Sequence, residues 1–162
     1  MSLEKKILSL MENNAKLSFK NIALMVDETE EKVREIVDHL EKNKYILGYK
    51  AVVNWEKVGS DEVSAMIDVK VIPEREVGFD SIAKKICRFP EVRSVQLMSG
   101  AYDLSVVVSG ESMKDVAKFI SRKLSTLDQV QSTVTHFLLK RYKHDNFIFE
   151  DEIDDKRLVV SP

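Results

Sequence analysis

The sequence predicts an α+β protein with two domains and a tail, and three observations support this. Residues 3–44 place apolar side chains at helical spacing in three short segments. Residues 45–53 contain two extended runs around Gly48. From residue 63 onward, β-rich and helical segments follow the order β-α-β-β-α-β. We therefore expect a winged helix-turn-helix over residues 1–60, a ferredoxin-like βαββαβ sandwich over residues 61–145 and an acidic tail over residues 146–162.

Three helices are predicted in the first domain. The first covers residues 3–12 and ends at Asn13-Asn14, because Asn tolerates the left-handed conformation found at many helix ends. Ser18 is the expected N-cap of the second helix and Thr29 that of the third, which runs to about residue 44. Their apolar stripes are Leu3, Ile7, Leu8 and Met11; Ile22, Ala23 and Val26; and Val33, Ile36, Val37 and Leu40.

The wing is predicted from the segment that follows the third helix. Residues 45–47 and 50–53 are apolar and extended, and Gly48 stands near their junction. Because Gly accepts the positive φ of a tight turn, these runs are expected to form a hairpin. The alternative is a small helical interaction module that does not contact DNA.

The second domain is predicted from alternating strands and helices. The strands are expected at 63–72, 92–98, 104–108 and 130–139, and the helices at 79–89 and 113–124. Two helices on one face of a four-stranded sheet leave the other face open. Since apolar residues lie on both faces of the strands, we expect a second copy of the chain to cover it.

Composition excludes several classes of protein. The 162 residues carry 25 Lys and Arg against 27 Asp and Glu, so DNA binding must depend on a local surface. One cysteine excludes an internal disulfide framework and a Cys-rich zinc site. No run approaches the roughly 18 apolar residues of a membrane span, and residues 1–6 lack the apolar core of a signal peptide. We expect a cytoplasmic protein without metal, cofactor or membrane partner.

The ordered segments of the chain resemble the leucine-responsive regulator / asparagine regulator (Lrp/AsnC) family of transcription factors. The resemblance runs from about residue 3 to residue 143. It implies a regulator that binds double-stranded DNA as a homodimer and assembles in many relatives into larger rings, such as tetramers or octamers. It also implies a second domain that senses a small molecule, commonly an amino acid. The matching segments are Ile7-Leu8 with Met11, Asn21-Ile22-Ala23, Val33-Arg34, Leu40-Glu41, Ile46–Asn54, Leu97–Asp103 and Leu127–Val130.

The same resemblance implies an effector site near the Gly-x-Tyr-Asp turn, at the contact between dimers. A glycine leaves backbone N–H groups open to a carboxylate, and Asp103 offers an anion to an α-amino group. The alternative is that Gly100 only forms the turn and Asp103 only satisfies the backbone. The candidate effector residues are Gly100, Ala101, Tyr102, Asp103, Gln129 and Thr133.

The third helix would be the recognition helix, and here the sequence departs from the family. Its exposed face carries Glu30, Glu31, Glu35 and Asp38, although Lys and Arg supply most of the affinity for phosphates. Lys32 and Arg34 are the candidates for contacts with base edges. The candidate DNA-binding residues are Lys16, Lys20, Thr29, Lys32, Arg34 and Lys50, with Lys42 and Lys44 as further cations.

Two rival functions and the tail stay open at this point. Some relatives with this architecture are sirohaem decarboxylases, for which Arg88, Arg93, His136, Lys140 and Arg141 could hold substrate carboxylates. The other rival is a co-regulator that oligomerises without binding DNA. The acidic tail could dock, add a strand to a neighbour or compete with DNA for lysines.

Overall fold

A computed structural model describes residues 1–75 and 77–149. The chain forms two compact units, Met1–Ala51 and the part that begins at Val52. The roles expected of the acidic tail fall mostly on residues 150–162, outside the described residues.

The first unit contains the three predicted helices. They are α1 (Leu3–Asn13), α2 (Phe19–Val26) and α3 (Glu30–Lys42). As predicted, the Ser18 and Thr29 hydroxyls accept the Asn21 and Lys32 backbone N–H groups and cap α2 and α3. The end of α1 differs from the prediction, since Asn14 is extended with φ −152°.

Apolar side chains from all three helices form the core of the first unit. Ile7, Ile22, Val33 and Val37 are buried, and Ile46 packs against them from the segment after α3. Each such side chain contributes about 1.5–3 kcal/mol when it is fully buried. The predicted stripes therefore hold α2 and α3 together as a helix-turn-helix.

The hairpin predicted for the wing is absent, since residues 45–54, all of them described, form no strand. The chain instead ends α3 in a Schellman motif. Lys44 is left-handed with φ 63°, and the N–H groups of Lys44 and Tyr45 donate to the carbonyls of Glu41 and Leu40. These bonds tie the segment to the helix and not to a second strand, so the predicted turn at Gly48 does not form.

The second unit has the predicted β-α-β-β-α-β order, which confirms the fold class. A short helix, α4 (Trp55–Val58), precedes β1 (Val63–Val71), α5 (Asp80–Ile86), β2 (Val92–Leu97), β3 (Leu104–Gly110), α6 (Met113–Phe119) and β4 (Val130–Phe137). A π-helical turn over Ile120–Leu124 follows α6. The strands are antiparallel in the order β2-β3-β1-β4. Within the described residues, no helix has the length and apolar character needed to cross a membrane.

The two faces of the sheet differ in composition. The helix-covered face buries the core side chains Ala65, Ile67, Val69, Val71, Leu104, Val106 and Val108. On the open face, Met66 lies opposite Val107 on β3. Val134 on β4 lies opposite Asp68, which is two residues along β1 from Met66. These three apolar residues are surrounded by Ser64, Asp68, Lys70, Ser105, Ser132 and His136. The open face is therefore more polar than the sequence analysis expected.

A small hairpin that the sequence analysis did not predict follows β4. Its strands are β5 (Lys143–His144) and β6 (Phe147–Ile148). Asp145 and Asn146 join them with φ values of 44° and 69°, which is the conformation of a type I′ turn.

Candidate functional site

The six candidate DNA-binding residues all lie at exposed positions of the first unit. Lys16 precedes α2 and Lys20 lies in its first turn. Thr29 caps α3, and Lys32 and Arg34 lie in its first half. Lys50 follows the Schellman motif. The helix-turn-helix thus presents cations from both of its helices.

The two cations of α3 are held by carboxylates of the same helix. The Arg34 guanidinium lies 3.1 Å from a Glu30 oxygen, and Lys32 Nζ lies 3.7 Å from a Glu35 oxygen. Arg34 also lies over the Phe19 ring, 4.9 Å from its centroid, so it links α3 to α2. Exposed ion pairs contribute only about 0.2–1 kcal/mol, so both side chains can exchange a carboxylate for a phosphate.

Two substitutions of Thr29 can distinguish the contribution of its hydroxyl from that of its methyl group. Its Oγ1 accepts the Lys32 N–H at 3.2 Å. We expect Thr29→Ala to lower the free energy of unfolding by about 1 kcal/mol, and Thr29→Ser to preserve it, in urea denaturation. If Thr29→Ala also weakened DNA binding while Thr29→Ser did not, the hydroxyl would matter for both; equal stability of all three proteins would contradict the capping role.

Tyr49 is a structural residue that the sequence analysis missed. Its hydroxyl donates to Glu41 Oε1 at 2.7 Å, which joins the segment after α3 back to that helix. Burial, followed by the hydrogen bond to Glu41 and its charge, raises the pKa of Tyr49 to about 12. Nothing in the spacing of the sequence indicated this pair, because the hairpin prediction placed Tyr49 in a turn.

In the second unit, Asp103 is committed to the backbone and to one lysine. Its Oδ2 accepts the Val71 N–H at 3.0 Å, and its Oδ1 accepts Lys70 Nζ at 3.1 Å. The hydrogen bond from Val71, and then that from Lys70, hold the pKa of Asp103 below its usual value. The alternative in which Asp103 satisfies the backbone is therefore what the structure contains.

The turn before Asp103 is clamped at its ends and open at its tip. The Asp103 N–H donates to the Val69 carbonyl at 3.1 Å, and its own carbonyl accepts the Met98 N–H at 2.8 Å. A Cβ added at Gly100 would meet no atom within 4 Å. Ala101 is exposed and Tyr102 is half-buried. The tip therefore has room for a ligand, while its base is fixed.

Gln129 lies on the other side of the same strand end. Its carbonyl accepts the Ile72 N–H at 2.9 Å, next to the Val71 N–H that Asp103 holds. Its side chain is only 9% exposed, and it accepts from Lys85 Nζ at 3.2 Å and donates to Ser81 Oγ at 3.0 Å. Neither of these partners on α5 was predicted from the sequence.

The structure thus brings the effector candidates to one end of the sheet in two groups. Gly100, Tyr102 and Asp103 flank the end of β1 from the side of β3, and Gln129 flanks it from the side of β4. Thr133 is half-buried on β4, opposite Val69. Because the Gln129 amide already has partners on α5, it fixes the loop before β4 and has less capacity left for a ligand.

Arg88, Arg93 and His136, three of the residues considered for a decarboxylase, occupy different parts of the second unit. Arg93 bonds Ser109 and Glu62, while His136 lies on the open face, 3.2 Å from Asp68. Arg88 follows α5, which covers the opposite face. No group of three or more His, Cys, Asp or Glu residues in the described part of the chain is arranged to hold a metal ion.

Comparisons with known proteins agree with this architecture. The family model described as the Lrp/AsnC ligand binding domain matches residues 64–148. The chain is 56% identical over 160 residues to the HTH-type transcriptional regulator YugG of Bacillus subtilis, covering 98% of this chain and 96% of that protein.

Two solved structures share the fold. The leucine response regulatory protein of Mycobacterium tuberculosis aligns with a TM-score of 0.73 at 19% identity, over 93% of this chain and 99% of that one. A transcriptional regulator of Neisseria meningitidis, solved as a complex with L-Met, aligns with a TM-score of 0.70 at 22% identity, over 89% and 92%.

Proposed function

Because the chain belongs to the Lrp/AsnC family of transcriptional regulators, we propose that it is a cytoplasmic, sequence-specific DNA-binding regulator controlled by a small molecule. The observation that carries the proposal is the capped α2–α3 pair, which presents Lys20, Lys32 and Arg34 to solvent above one shared core. In a helix-turn-helix of this kind, the second helix enters the major groove and its side chains meet base edges.

DNA binding by one first unit is expected to be weak. Glu30 and Glu35 neutralise Arg34 and Lys32 within α3, so the helix offers little uncompensated positive charge. Lys16, Lys20 and Lys50 form no ion pair with any described residue and are available to phosphates. Two or more first units on one duplex would raise the effective concentration, so regulation through assembly is a natural consequence.

Homo-oligomer formation is proposed through the open face of the sheet. Met66 is 45% exposed at its centre, and Val107 and Val134 extend the apolar area. A facing copy would bury these side chains. The serines around them could form cross-sheet hydrogen bonds at the rim of such a contact.

The proposed effector is an amino acid, bound at the tip of the 98–103 turn. Open backbone at Gly100 suits a carboxylate. The negative charge of Asp103, which already meets Lys70 and the Val71 N–H, would be shared with an α-amino group. The L-Met in the Neisseria meningitidis regulator supports this class of ligand without identifying the one used here.

Selection of bound DNA tests the function directly. Purified protein would be mixed with a random-sequence duplex pool, with and without the twenty amino acids, and the retained fragments sequenced. A shared motif whose retention falls with salt is expected. Retention of no motif at low salt would contradict the proposal and favour a co-regulator; release of carbon dioxide from a tetrapyrrole would favour the decarboxylase.

Gly100→Asp is expected to weaken effector binding about tenfold, or ~1.4 kcal/mol, because a carboxylate would repel the carboxylate of the ligand. A Cβ at this position meets no atom within 4 Å, but the φ of 157° disfavours any side chain, so Gly100→Asp and a neutral variant should lose similar amounts of stability. Isothermal titration with the amino acid found in the selection measures this. Gly100→Asn, which has a similar size and no charge, is the matched control. Equal affinity of the wild type and Gly100→Asp would exclude the turn as the carboxylate site.

A further inference from the structure

Residues 138–149, here named the C-terminal arm, expose an unusual amount of apolar surface. Leu139 is 91% exposed and Ile148 is 73% exposed, and Leu138, Tyr142 and Phe147 are each about half exposed or more. Five large apolar side chains in solvent within one short segment are typical of an interaction surface.

Hydrogen bonds within the arm and to neighbouring residues of the second unit hold it in place. The β5–β6 pair closes through the turn at Asp145 and Asn146, and the Phe149 N–H donates to the Tyr142 carbonyl at 2.9 Å. The Leu138 N–H donates to the Ser64 carbonyl, and the Asn54 amide donates to the Phe149 carbonyl at 3.4 Å. A preformed arm loses little conformational entropy when it docks.

An acidic groove lies at the same end of the sheet as the base of the arm. It has a volume of about 650 Å³, with Trp55 and Pro90 as its apolar lining. Four carboxylates line it against one arginine: they belong to Asp61, Glu62, Glu91 and Glu111. This end is opposite the 98–103 turn, because it contains the start of β1 and the end of β3.

The arm is basic and the groove is acidic, and several of these charged groups form no ion pair within the described residues. The arm carries Lys140, Arg141 and Lys143 against the single carboxylate of Asp145. In the groove, Glu62 pairs with Arg93 and Glu91 with Lys123. Asp61 and Glu111 form no ion pair with any residue in the described ranges, and neither do Arg141 and Lys143.

We propose that the C-terminal arm of one copy of this chain docks in the acidic groove of a second copy. Arg141 and Lys143 would meet Asp61 and Glu111, and the exposed apolar side chains of the arm would cover Trp55 and Pro90. Since arm and groove lie at the same end of the sheet, two copies can exchange arms about a two-fold axis, which closes the assembly. The charged residues of this contact, Arg141 and Lys143 with Asp61 and Glu111, do not belong to the apolar centre of the open face, so the two proposed contacts can fail separately.

Paired charge reversals test the contact in the full-length protein. The first variant carries Arg141→Glu and Lys143→Glu, which makes the arm acidic. The second carries Asp61→Lys and Glu111→Lys, which makes the groove basic. Lys84→Glu with Lys114→Glu, on the exposed sides of α5 and α6, is the matched control. Sedimentation velocity at one protein concentration measures the assembly of each protein and of mixtures.

Each reversed variant alone is expected to associate at least tenfold more weakly than the wild type, because arm and groove then carry the same sign. An equimolar mixture of the two should recover the wild-type assembly, since each arm again meets a groove of opposite charge. The control should match the wild type. Wild-type assembly by either variant alone, or failure of the mixture to recover it, overturns the proposal.

A milder pair keeps the test decisive if a reversed variant does not fold. Arg141→Gln with Lys143→Gln should associate several-fold more weakly and lose the salt dependence of the wild type. Unchanged association and unchanged salt dependence overturn the proposal. If such a variant also bound DNA more weakly, the cations of the arm would be assigned to nucleic acid instead.

Discussion

Asp103→Ala is expected to lower the free energy of unfolding by about 2 kcal/mol. The substitution removes a charge-assisted bond to Lys70 and leaves the N–H of the buried Val71 without an acceptor. A buried donor without a partner costs about 1–3 kcal/mol, and the lost ion pair adds little because Lys70 is partly exposed. Urea denaturation followed by circular dichroism measures the difference.

The pH dependence of this effect has a defined sign. The pKa of Asp103 is lower in the folded protein than in the unfolded chain, so the carboxylate stabilises the fold above the unfolded value of about 4. That contribution is lost as the pH falls through the folded pKa. The stability difference between the wild type and Asp103→Ala should therefore be full at neutral pH and shrink in acid.

Two controls separate this effect from a general loss of charge. Asp128→Ala removes an exposed carboxylate from the loop before β4 and should leave stability unchanged. Asp103→Asn keeps an oxygen that can accept from Val71 and should be intermediate. If Asp103→Ala were as stable as the wild type at neutral pH, the carboxylate would not anchor this turn. A loss of effector binding in that variant would then reflect a lost contact with the ligand and not a distorted turn.

Local rules made the helices predictable from the sequence. Ser18 and Thr29 stand where a cap is needed and are followed by apolar stripes of the right period, so α2 and α3 begin as predicted. The β-α-β-β-α-β order was predicted from the spacing of apolar residues, and Pro73 and Pro90 marked the ends of the first strand and of the helix that follows it. Each of these signals lies within a few residues of the element that it specifies.

The wing was not predictable by the same rules. Extended, apolar residues around Gly48 fit a hairpin locally, but three hydrogen bonds to the carbonyls of Leu40 and Glu41 and a left-handed Lys44 determine the path of the chain. A helix that ends in this way usually has Gly at the left-handed position, and because Lys stands there the sequence does not indicate the motif. The hairpin and the Schellman motif compete for the same residues, and the hydrogen bonds that each can form decide between them. The spacing of apolar residues in the sequence does not reveal those hydrogen bonds.

The convergence of the candidate effector residues was predictable, but their hydrogen-bond partners were not. The Gly100–Asp103 turn and Gln129 do meet at one end of β1. Their polar groups, however, are shared with Lys70, Lys85 and Ser81, and none of these lies near them in sequence. Which donor faces which acceptor depends on sheet register and helix placement, and these are tertiary properties.

The largest effect on DNA binding is expected from Lys32→Ala combined with Arg34→Ala. Both residues lie on the exposed face of α3, and their carboxylate partners are exchangeable surface groups. We expect the affinity for a selected operator to fall by about 2 kcal/mol or more, and the slope of log K against log salt to become shallower by about two. Fluorescence anisotropy over a range of salt concentrations measures both quantities.

Lys5→Ala with Lys6→Ala is the matched control, because these exposed lysines carry the same charge on α1, outside the α2–α3 pair. It should leave the slope close to that of the wild type. Glu30→Gln with Glu35→Gln should act in the opposite direction, since it releases Arg34 and Lys32 and removes two charges that repel phosphate. If Lys32→Ala with Arg34→Ala bound the operator as the wild type does, α3 would not be the helix that contacts DNA, and Lys16, Lys20 and Lys50 would carry the binding.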